Sequence, residues 1–560
     1  MVVGTLQHVP SKGRISIMKI QNFTVHKRHS VLKLSYGFLL MVIGIITASI
    51  NPINIITNWF LDMREGSFIY KMWENPTYEL ISEIWVYNYT NTQEFLAGEE
   101  QIMRIKEIGP FVYREMRTNE HMTIDNEKGV LTMNPKMHLK FIPEESLDDP
   151  KNVMLTIPNI ALLALSTLAA DKLGYLANAG AYYSMSALGS KVFKKLDAQE
   201  VFWGYQDPLV TIANRILPGW IDFQKLGILD RLYADRNDFA EVELGNTTRR
   251  YSLNAWDNST GLKEQGFTDW NTSTLCNRIK GTYEGIMLPS GFPKGEGISI
   301  FRKQACRSFP FNFAEEKMSE FGFSANRYVM DPTAFSRSSP YACNCKENCM
   351  PEGVIDIGPC YYGFPIALTK PHLLDVDPVQ QSYFEGMNPS LEKHTSYYEI
   401  EPTIGAPVKF SIKVQINMAV RTSPGNPITL PIKDKVVPLI WLNLHCKSPP
   451  SDIITMLRLR IVIGPPLLIT TIVLLIAGGM FLSAQGFYRV WKPKYKIIPP
   501  TELPPIIRRK SQERRRSSVH ENIAFKEDDE LAREAVSLLA INEEDGDFVE
   551  LIISDDNEME

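Results

Sequence analysis

The amino-acid sequence predicts an α+β protein in which two transmembrane helices flank one large, β-rich ectodomain. An apolar segment lies near each end of the 560-residue chain, and all seven cysteines fall between Cys276 and Cys446. Apolar and polar residues alternate from Phe410 to Val420, with the period of two that is typical of a β-strand. Residues 84–90 are rich in aromatic and β-branched side chains and predict a second strand.

The two apolar segments are long enough to cross a membrane. A helix needs about 20 mostly apolar residues to span a hydrocarbon core of roughly 30 Å. The second segment, residues 461–488, carries no charge, and the first begins at Leu34 and can extend past Pro52. Because the first segment lies far from Met1, an uncleaved span is favoured over a signal peptide. We therefore expect transmembrane helices at residues 34–56 and 461–488.

Flanking charges predict the orientation of these helices. Lysine and arginine are denser on the outer flank of each helix, which places both chain ends in the cytosol. The expected segments are a cytosolic tail at 1–33, an extracellular or lumenal ectodomain at 57–460 and a cytosolic tail at 489–560. The C-terminal tail is basic next to the membrane and acidic further on. Its basic residues are placed to interact with anionic lipid headgroups, so no nucleic-acid partner is expected.

Sequons and cysteines agree with an ectodomain between the helices. Glycosylation sequons lie at Asn88, Asn246, Asn258 and Asn271 inside the predicted ectodomain, whereas a fifth match, at Asn22, lies in the predicted cytosolic tail and should stay unmodified. Cysteines confined to the same segment suggest disulfides, which persist in oxidising compartments. A compact set of six can form them: Cys276, Cys306, Cys343, Cys345, Cys349 and Cys360.

Spacing alone does not choose the disulfide pairing. Only a bridge between Cys343 and Cys345 is disfavoured, because a ring closed over one residue is strained. The alternative for the last four cysteines of the set, a zinc site, is disfavoured in an oxidising compartment. Cys446 remains as a buried free thiol or an intermolecular bridge.

Residues 158–201 predict helices, because leucines and other apolar residues recur at helical spacing with few strand signals. An apolar run over residues 157–170 is too short for a third span and indicates a core or interfacial helix. Lys191, Lys194 and Lys195 would share one helix face at spacings of three and four. That face is either ordinary solvated surface or a cationic binding site for fatty-acid carboxylates, oxidised phospholipids or an acidic partner protein.

Seven stretches of sequence, in order along the predicted ectodomain, resemble the class B scavenger receptors. That family includes the fatty-acid translocase, the type-two lysosomal integral membrane protein and the insect sensory neuron membrane proteins. The stretches are residues 88–98, 108–114, 202–208, 306–309, 370–374, 400–405 and 437–441.

The resemblance implies a fold and a disulfide pattern. It implies a β-rich ectodomain with a helical apex, onto which residues 158–201 map, and a lipid tunnel through the core. It also implies three bridges, which are Cys276–Cys343, Cys306–Cys360 and Cys345–Cys349. One departure concerns the apical lysine pair of the fatty-acid translocase, because the matching positions here are Ala187 and Gly189.

The function implied is that of a scavenger-type receptor at the cell surface or in endosomes. It would bind lipids, fatty acids or lipoproteins and take up apolar cargo through the tunnel, without a cofactor or a catalysed reaction. Two alternatives within the family are a lysosomal trafficking receptor for a partner protein and a lipid-odorant, or pheromone, co-receptor in sensory neurons. A two-span ligand-gated channel is disfavoured because the predicted spans carry no charge.

The C-terminal tail suggests how the protein is sorted. Glu534, Leu538 and Leu539 match the acidic-dileucine pattern that clathrin adaptors bind, although the same leucines also fit one face of a short amphipathic helix. We therefore expect residence in the plasma membrane, the endosome–lysosome membrane or both. The ligand and the oligomeric state stay open at this stage.

Overall fold

The structure of the protein is a computed structural model that describes residues 15–20, 23–172, 174–216, 218–234, 237–246, 248–267, 269, 271–345, 349–446, 448–491, 495–498 and 549–553. The chain divides into two compact units, one of residues 1–55 with 464–560 and the other of residues 56–463.

The α-helices of the described residues vary from one turn to 28 residues. They are α1 (Phe23–Ile50), α2 (Pro52–Phe60), α3 (Phe68–Glu74), α4 (Thr92–Ala97), α5 (Ile160–Lys172), α6 (Tyr175–Ala187), α7 (Ala198–Trp203), α8 (Pro208–Ile216), α9 (Ile228–Leu232), α10 (Pro378–Gln381), α11 (Leu391–His394), α12 (Ser451–Leu457) and α13 (Gly464–Trp491). A π-helical segment, Arg458–Ile463, joins α12 to α13.

The strands are equally varied in length. They are β1 (Ile15–Ile20), β2 (Leu80–Tyr89), β3 (Met103–Asp125), β4 (Val130–Phe141), β5 (Met154–Pro158), β6 (Phe193–Asp197), β7 (Tyr205–Gln206), β8 (Lys225–Leu226), β9 (Ala240–Glu243), β10 (Leu253–Trp256), β11 (Ile298–Arg302), β12 (Arg307–Met318), β13 (Ser324–Met330), β14 (Ile355–Asp356), β15 (Ile366–Thr369), β16 (Phe384–Glu385), β17 (Tyr397–Glu401), β18 (Ala406–Ala419), β19 (Val436–Cys446), β20 (Tyr495–Ile498) and β21 (Val549–Ile553).

Two helical segments are long and apolar enough to cross a membrane. They are Arg28–Ile50, within α1, and Ser451–Trp491, which runs from α12 through α13. The helix that the sequence predicts over residues 34–56 is two helices in the structure. It breaks at Asn51, whose φ is +48°, and α2 begins at Pro52. The break has a local cause, because a residue before proline is disfavoured in the right-handed helical region.

The unit of residues 1–55 and 464–560 is built on close antiparallel packing of α1 and α13. A methyl group at Gly479 would lie 2.6 Å from the carbonyl oxygen of Gly37, and one at Gly486 would lie 2.9 Å from that of Ser30. Residue numbers rise along α1 as they fall along α13, so the helices are antiparallel. Small residues let helix backbones approach closely where lipid surrounds them. In the same unit, β1 pairs with β20 and β21.

The unit of residues 56–463 is organised by one large, mainly antiparallel sheet. Its central strand order is β10-β9-β4-β3-β2-β19-β18-β17-β13-β12-β11, while β15 also pairs with β18, and β16 adds a short parallel pair to β3. Both strands predicted from the sequence are confirmed, because residues 84–89 lie in β2 and residues 410–419 in β18.

β18 lies inside the sheet and is buried on both of its faces. Ile416 and Met418 point to one side, and both are at most 4% exposed. Gln415 and Asn417 point to the other side and are fully buried. The alternation in the sequence therefore separates an apolar core from a buried polar cluster, rather than core from solvent.

Candidate functional site

The helix α6 exposes a surface that carries no charge. Residues 173–190 contain no Asp, Glu, Lys or Arg. Tyr175, Leu176 and Tyr183 on this helix are 64%, 84% and 70% exposed. Exposed apolar side chains of this size, grouped on one uncharged helix, are typical of an interaction surface rather than of solvated surface.

Polar contacts on the opposite side of α6 fix its position. The Asn178 side-chain amide donates to the backbone oxygen of Ala169 in α5 at 3.0 Å. The Asn426 amide donates to the Ser166 hydroxyl of α5 at 2.9 Å, next to Met185 of α6. Hydrogen bonds on the inner side of α6 therefore hold the helix against α5, while its apolar side chains remain exposed.

An apolar cavity lies beyond α5. Its volume is about 40 Å³, and Ile160 of α5 contributes to its wall. The other walls come mainly from the loops around α9 and from the apolar face of β18; they include Phe223, Ile228, Phe364, Ile416 and Met418. Arg231 stands at its edge with its guanidinium 4.7 Å from the centroid of the Phe223 ring. In this conformation the cavity has room for a small chemical group but not for an acyl chain.

The three lysines of the predicted helix face do not share a helix face, so that prediction is wrong. The helix ends before them, with Gly189 at a φ of +65°. Lys194 and Lys195 lie in β6, opposite Ile157 and Thr156 of β5, and Lys191 precedes this strand. β-branched and aromatic residues after the glycine favour the strand, in which neighbouring side chains point to opposite faces. The spacing of three and four residues between the lysines that follow Ala187 therefore does not indicate a helix.

One of the three lysines forms an ion pair, and the side chains of the other two are exposed to solvent. Lys194 forms an ion pair with the buried Asp207 and lies 4.7 Å from the centroid of the Tyr205 ring. Lys191 and Lys195 have exposed side chains. Of the predicted cationic group, only Lys191 and Lys195 are placed to meet an anionic ligand.

The structure joins six cysteines in the pairs that the family resemblance implies, Cys276–Cys343, Cys306–Cys360 and Cys345–Cys349. Cys446 is free and buried at the end of β19, which matches the buried-thiol alternative. Burial raises the pKa of its thiol to about 12.

The four sequons fall in two environments. Asn246, Asn258 and Asn271 have exposed side chains in loops. Asn88 lies in β2, half-buried, and its side-chain oxygen accepts the backbone N–H of Thr156 at 2.7 Å. Glycosylation at these positions stays a prediction.

A cluster of two buried histidines and a partly buried glutamate, which the sequence does not predict, lies beside β18. His372 Nε2 lies 2.6 Å from Glu107 Oε2, which also accepts the indole N–H of Trp441 at 3.1 Å. The Gln415 side-chain oxygen accepts the Tyr87 hydroxyl and the backbone N–H of His372, each at 2.7 Å. The polar residues that alternate along residues 410–420 indicate one face of a strand. The alternation alone does not show whether that polar face is buried or exposed to solvent.

Among the described residues, no group of three or more His, Cys, Asp or Glu side chains is placed to bind a metal ion. The predicted sorting residues Glu534, Leu538 and Leu539 lie outside the described residues.

Comparison with known proteins adds independent information. A sequence model of the CD36 family matches residues 35–490. The chain is similar to "Scavenger receptor class B member 1" of Sus scrofa, with 28% identity over 415 residues that cover 72% of this chain and 78% of that protein. It is also similar to "Lysosome membrane protein 2" of Homo sapiens, with 28% identity over 430 residues that cover 75% of this chain and 85% of that protein.

Proposed function

The chain belongs to the CD36 family, and from this premise we propose that it is a membrane receptor that binds lipids or lipoproteins and mediates the uptake of apolar cargo. The proposed role requires binding and transfer, with no catalysed reaction and no cofactor. One of its relatives is a scavenger receptor by name, which supports a receptor of this kind.

The uncharged surface of α6 is the observation on which the proposal rests. Tyr175, Leu176 and Tyr183 offer large apolar groups to a particle that itself exposes lipid. Each CH₂ group that leaves water contributes about 0.8 kcal/mol to binding, so a few side chains suffice for capture. Lys191 and Lys195 follow α6 in the chain and add positive charge for anionic lipid headgroups.

Cargo would move from this surface into the protein interior. The apolar cavity beyond α5 supports such a path, because apolar side chains line most of its wall. At about 40 Å³ the cavity must widen to admit an acyl chain, so the proposed tunnel requires a second conformation in which α9 and the loops around it separate.

Uptake of radiolabelled fatty acid or carotenoid by cells that express the receptor tests this function. The variant Leu176→Asp places a charge in the middle of the proposed binding surface, and we expect its uptake to fall toward that of the parental cells. Leu391→Asp is the matched control, because Leu391 is also an exposed leucine, 68% accessible, but lies on α11. Uptake by the unmodified receptor that does not exceed that of parental cells, with surface expression verified, would refute the proposal.

A trafficking receptor for a lysosomal partner protein is the second candidate. The relative named lysosome membrane protein 2 favours it, and an exposed apolar helix also fits a protein partner. Under this proposal a clathrin adaptor binds Glu534, Leu538 and Leu539. Replacing both leucines with alanine should then move the protein from endosomes and lysosomes to the cell surface, and an unchanged distribution would count against the candidate.

The topology belongs to the same proposal. Both chain ends would lie in the cytosol and residues 57–460 outside it or in an organelle lumen, as the flanking lysines and arginines suggest. A role in lipid-odorant detection would use the same surface, and expression confined to sensory neurons would identify it.

A further inference from the structure

The helix α2 exposes an apolar face immediately after the first transmembrane helix. Ile55, Ile56 and Trp59 are 55%, 55% and 60% exposed and project from the same side of the nine-residue helix. Thr57 on another side is buried, and Asn58, also exposed, lies at the polar edge of the apolar face, roughly 110° around the helix from its centre. α2 is thus amphipathic, and water is an unfavourable environment for its apolar face.

The length of α1 leaves the apolar residues of α2 without a role in crossing the membrane. The candidate span within α1, Arg28–Ile50, has 23 residues and is about 34 Å long at 1.5 Å per residue. Arg28 and Lys33 lie in its first two turns, where long basic side chains can reach the headgroups. A hydrocarbon core of roughly 30 Å is already crossed by that length. Yet the sequence stays free of charge from Leu34 to Leu61, well beyond the end of α1.

A single residue separates the two helices and keeps α2 close to the membrane surface. Asn51, with its φ of +48°, turns the chain between Ile50 and Pro52. A helix that starts one residue after a span cannot leave the region of the lipid headgroups within its first turns. Lipid, rather than a second protein, is therefore the neighbour that chain connectivity supplies.

Charged groups gather where α2 ends, as expected for a helix at a membrane surface. Arg64 lies 5.9 Å from the centroid of the Trp59 ring and pairs with Asp62 at 2.8 Å. Tryptophan is enriched at the boundary between lipid headgroups and acyl chains, where its apolar ring and polar N–H are both accommodated. The sequence thus passes from apolar to charged within five residues of Trp59.

We propose that α2 is an interfacial helix, whose Ile55, Ile56 and Trp59 side chains enter the boundary between headgroups and acyl chains of the bilayer that α1 crosses. Such a helix lies in the plane of the membrane with its apolar face toward the lipid. Its partner is the phospholipid surface itself, and this assignment is independent of the cargo that the receptor carries.

Nitroxide labels on the full-length protein in phosphatidylcholine nanodiscs test this assignment. Cysteine is introduced singly at Ile55, Ile56 and Trp59, and at Asn58 as the matched control on the same helix. The parent protein is the labelling blank, because its one free cysteine, Cys446, is buried and the other six are paired. Collision rates are measured with oxygen, which concentrates in lipid, and with a water-soluble nickel chelate.

We expect the oxygen-to-nickel collision ratio at Ile55→Cys, Ile56→Cys and Trp59→Cys to exceed that at Asn58→Cys several-fold. High nickel accessibility at all four positions would place α2 in water and overturn the proposal. Low accessibility to both reagents at the three apolar positions would indicate a protein contact, such as a second copy of the chain, and would overturn it equally. The Ile55 and Ile56 variants decide the outcome independently if the Trp59 variant fails to fold.

Discussion

The imidazole rings of His372 and His394 stack on each other, with centroids 4.5 Å apart and planes inclined by 10°. In each ring Nδ1 accepts a backbone N–H, from Asn388 for His372 and from Ser390 for His394, both at 3.1 Å. A ring that accepts at Nδ1 is in its neutral form, so the contact with Ser390 favours an uncharged His394 in the folded protein.

Acidification should therefore weaken the fold through His394. Burial and the adjacent His372 lower the pKa of His394 to about 4, and Lys413 and Lys393 add to this effect, while Glu107 opposes it. Between the unfolded pKa near 6.5 and a folded pKa near 4, the unfolded chain binds a proton that the folded chain does not. This contribution to stability is complete above pH 6.5. It should fall by roughly 1–2 kcal/mol between pH 7 and pH 5, seen as a lower Tm.

The variant His394→Asn isolates this effect, because the asparagine side-chain oxygen can accept from Ser390 N–H but does not titrate. Its Tm should depend less on pH than that of the unmodified protein over the same interval. Parallel Tm curves for the two proteins would contradict the assignment of the pH dependence to His394.

Gln415 should be one of the costlier positions to change in the sheet. Its oxygen accepts from Tyr87 and from the backbone of His372, and its amide donates to Asn417 at 2.7 Å. Gln415→Met preserves the length of the side chain but leaves these buried groups without partners, so unfolding should require about 2–4 kcal/mol less free energy. Gln93→Met, at an exposed position of α4, is the control, and equal effects of the two changes on denaturant unfolding would refute the expectation.

Cys446 should be unreactive in the folded protein. Its pKa of about 12 leaves only about one thiol in ten thousand ionised at pH 8, and burial blocks access by reagent. A thiol assay without reductant should therefore detect no reactive group in the native protein and one per chain after denaturation. Detection of none after denaturation would instead reveal an intermolecular bridge.

Glycans should be present at the exposed sequons. We expect Asn246→Gln, Asn258→Gln and Asn271→Gln each to increase electrophoretic mobility by one step, and a glycosidase to remove the difference. Asn22→Gln, in the sequon of the predicted cytosolic tail, is the control and should have no effect. A shift for Asn22 with none for the other three would reverse the proposed topology.

The elements that the sequence predicts well are those whose pattern depends on near neighbours. β2, β18 and the apolar part of α13 follow from composition and period alone. The lysines show the limit of that reasoning. A spacing of three and four residues fits a helix face, but Gly189 ends the helix and pairing with β5 makes a strand of the same residues.

The candidate site was predicted only in part, because burial is a property of the whole fold. The uncharged stretch at 173–190 is visible in the sequence, but whether such a helix faces the core or the solvent depends on what packs against it. The pairing of Gln415 with His372 joins positions 43 residues apart and is beyond the reach of local patterns.

The glycine-to-backbone packing of α1 against α13 has a practical consequence for studies of this protein in cells. In the proposed topology, these two antiparallel helices would cross one bilayer and bring the beginning and the end of the chain to the same aqueous compartment. Halves of a split fluorescent reporter fused to the two termini should therefore reassemble within a single molecule. A bulky replacement at Gly37 or Gly479 should dim that signal before it alters the folded ectodomain.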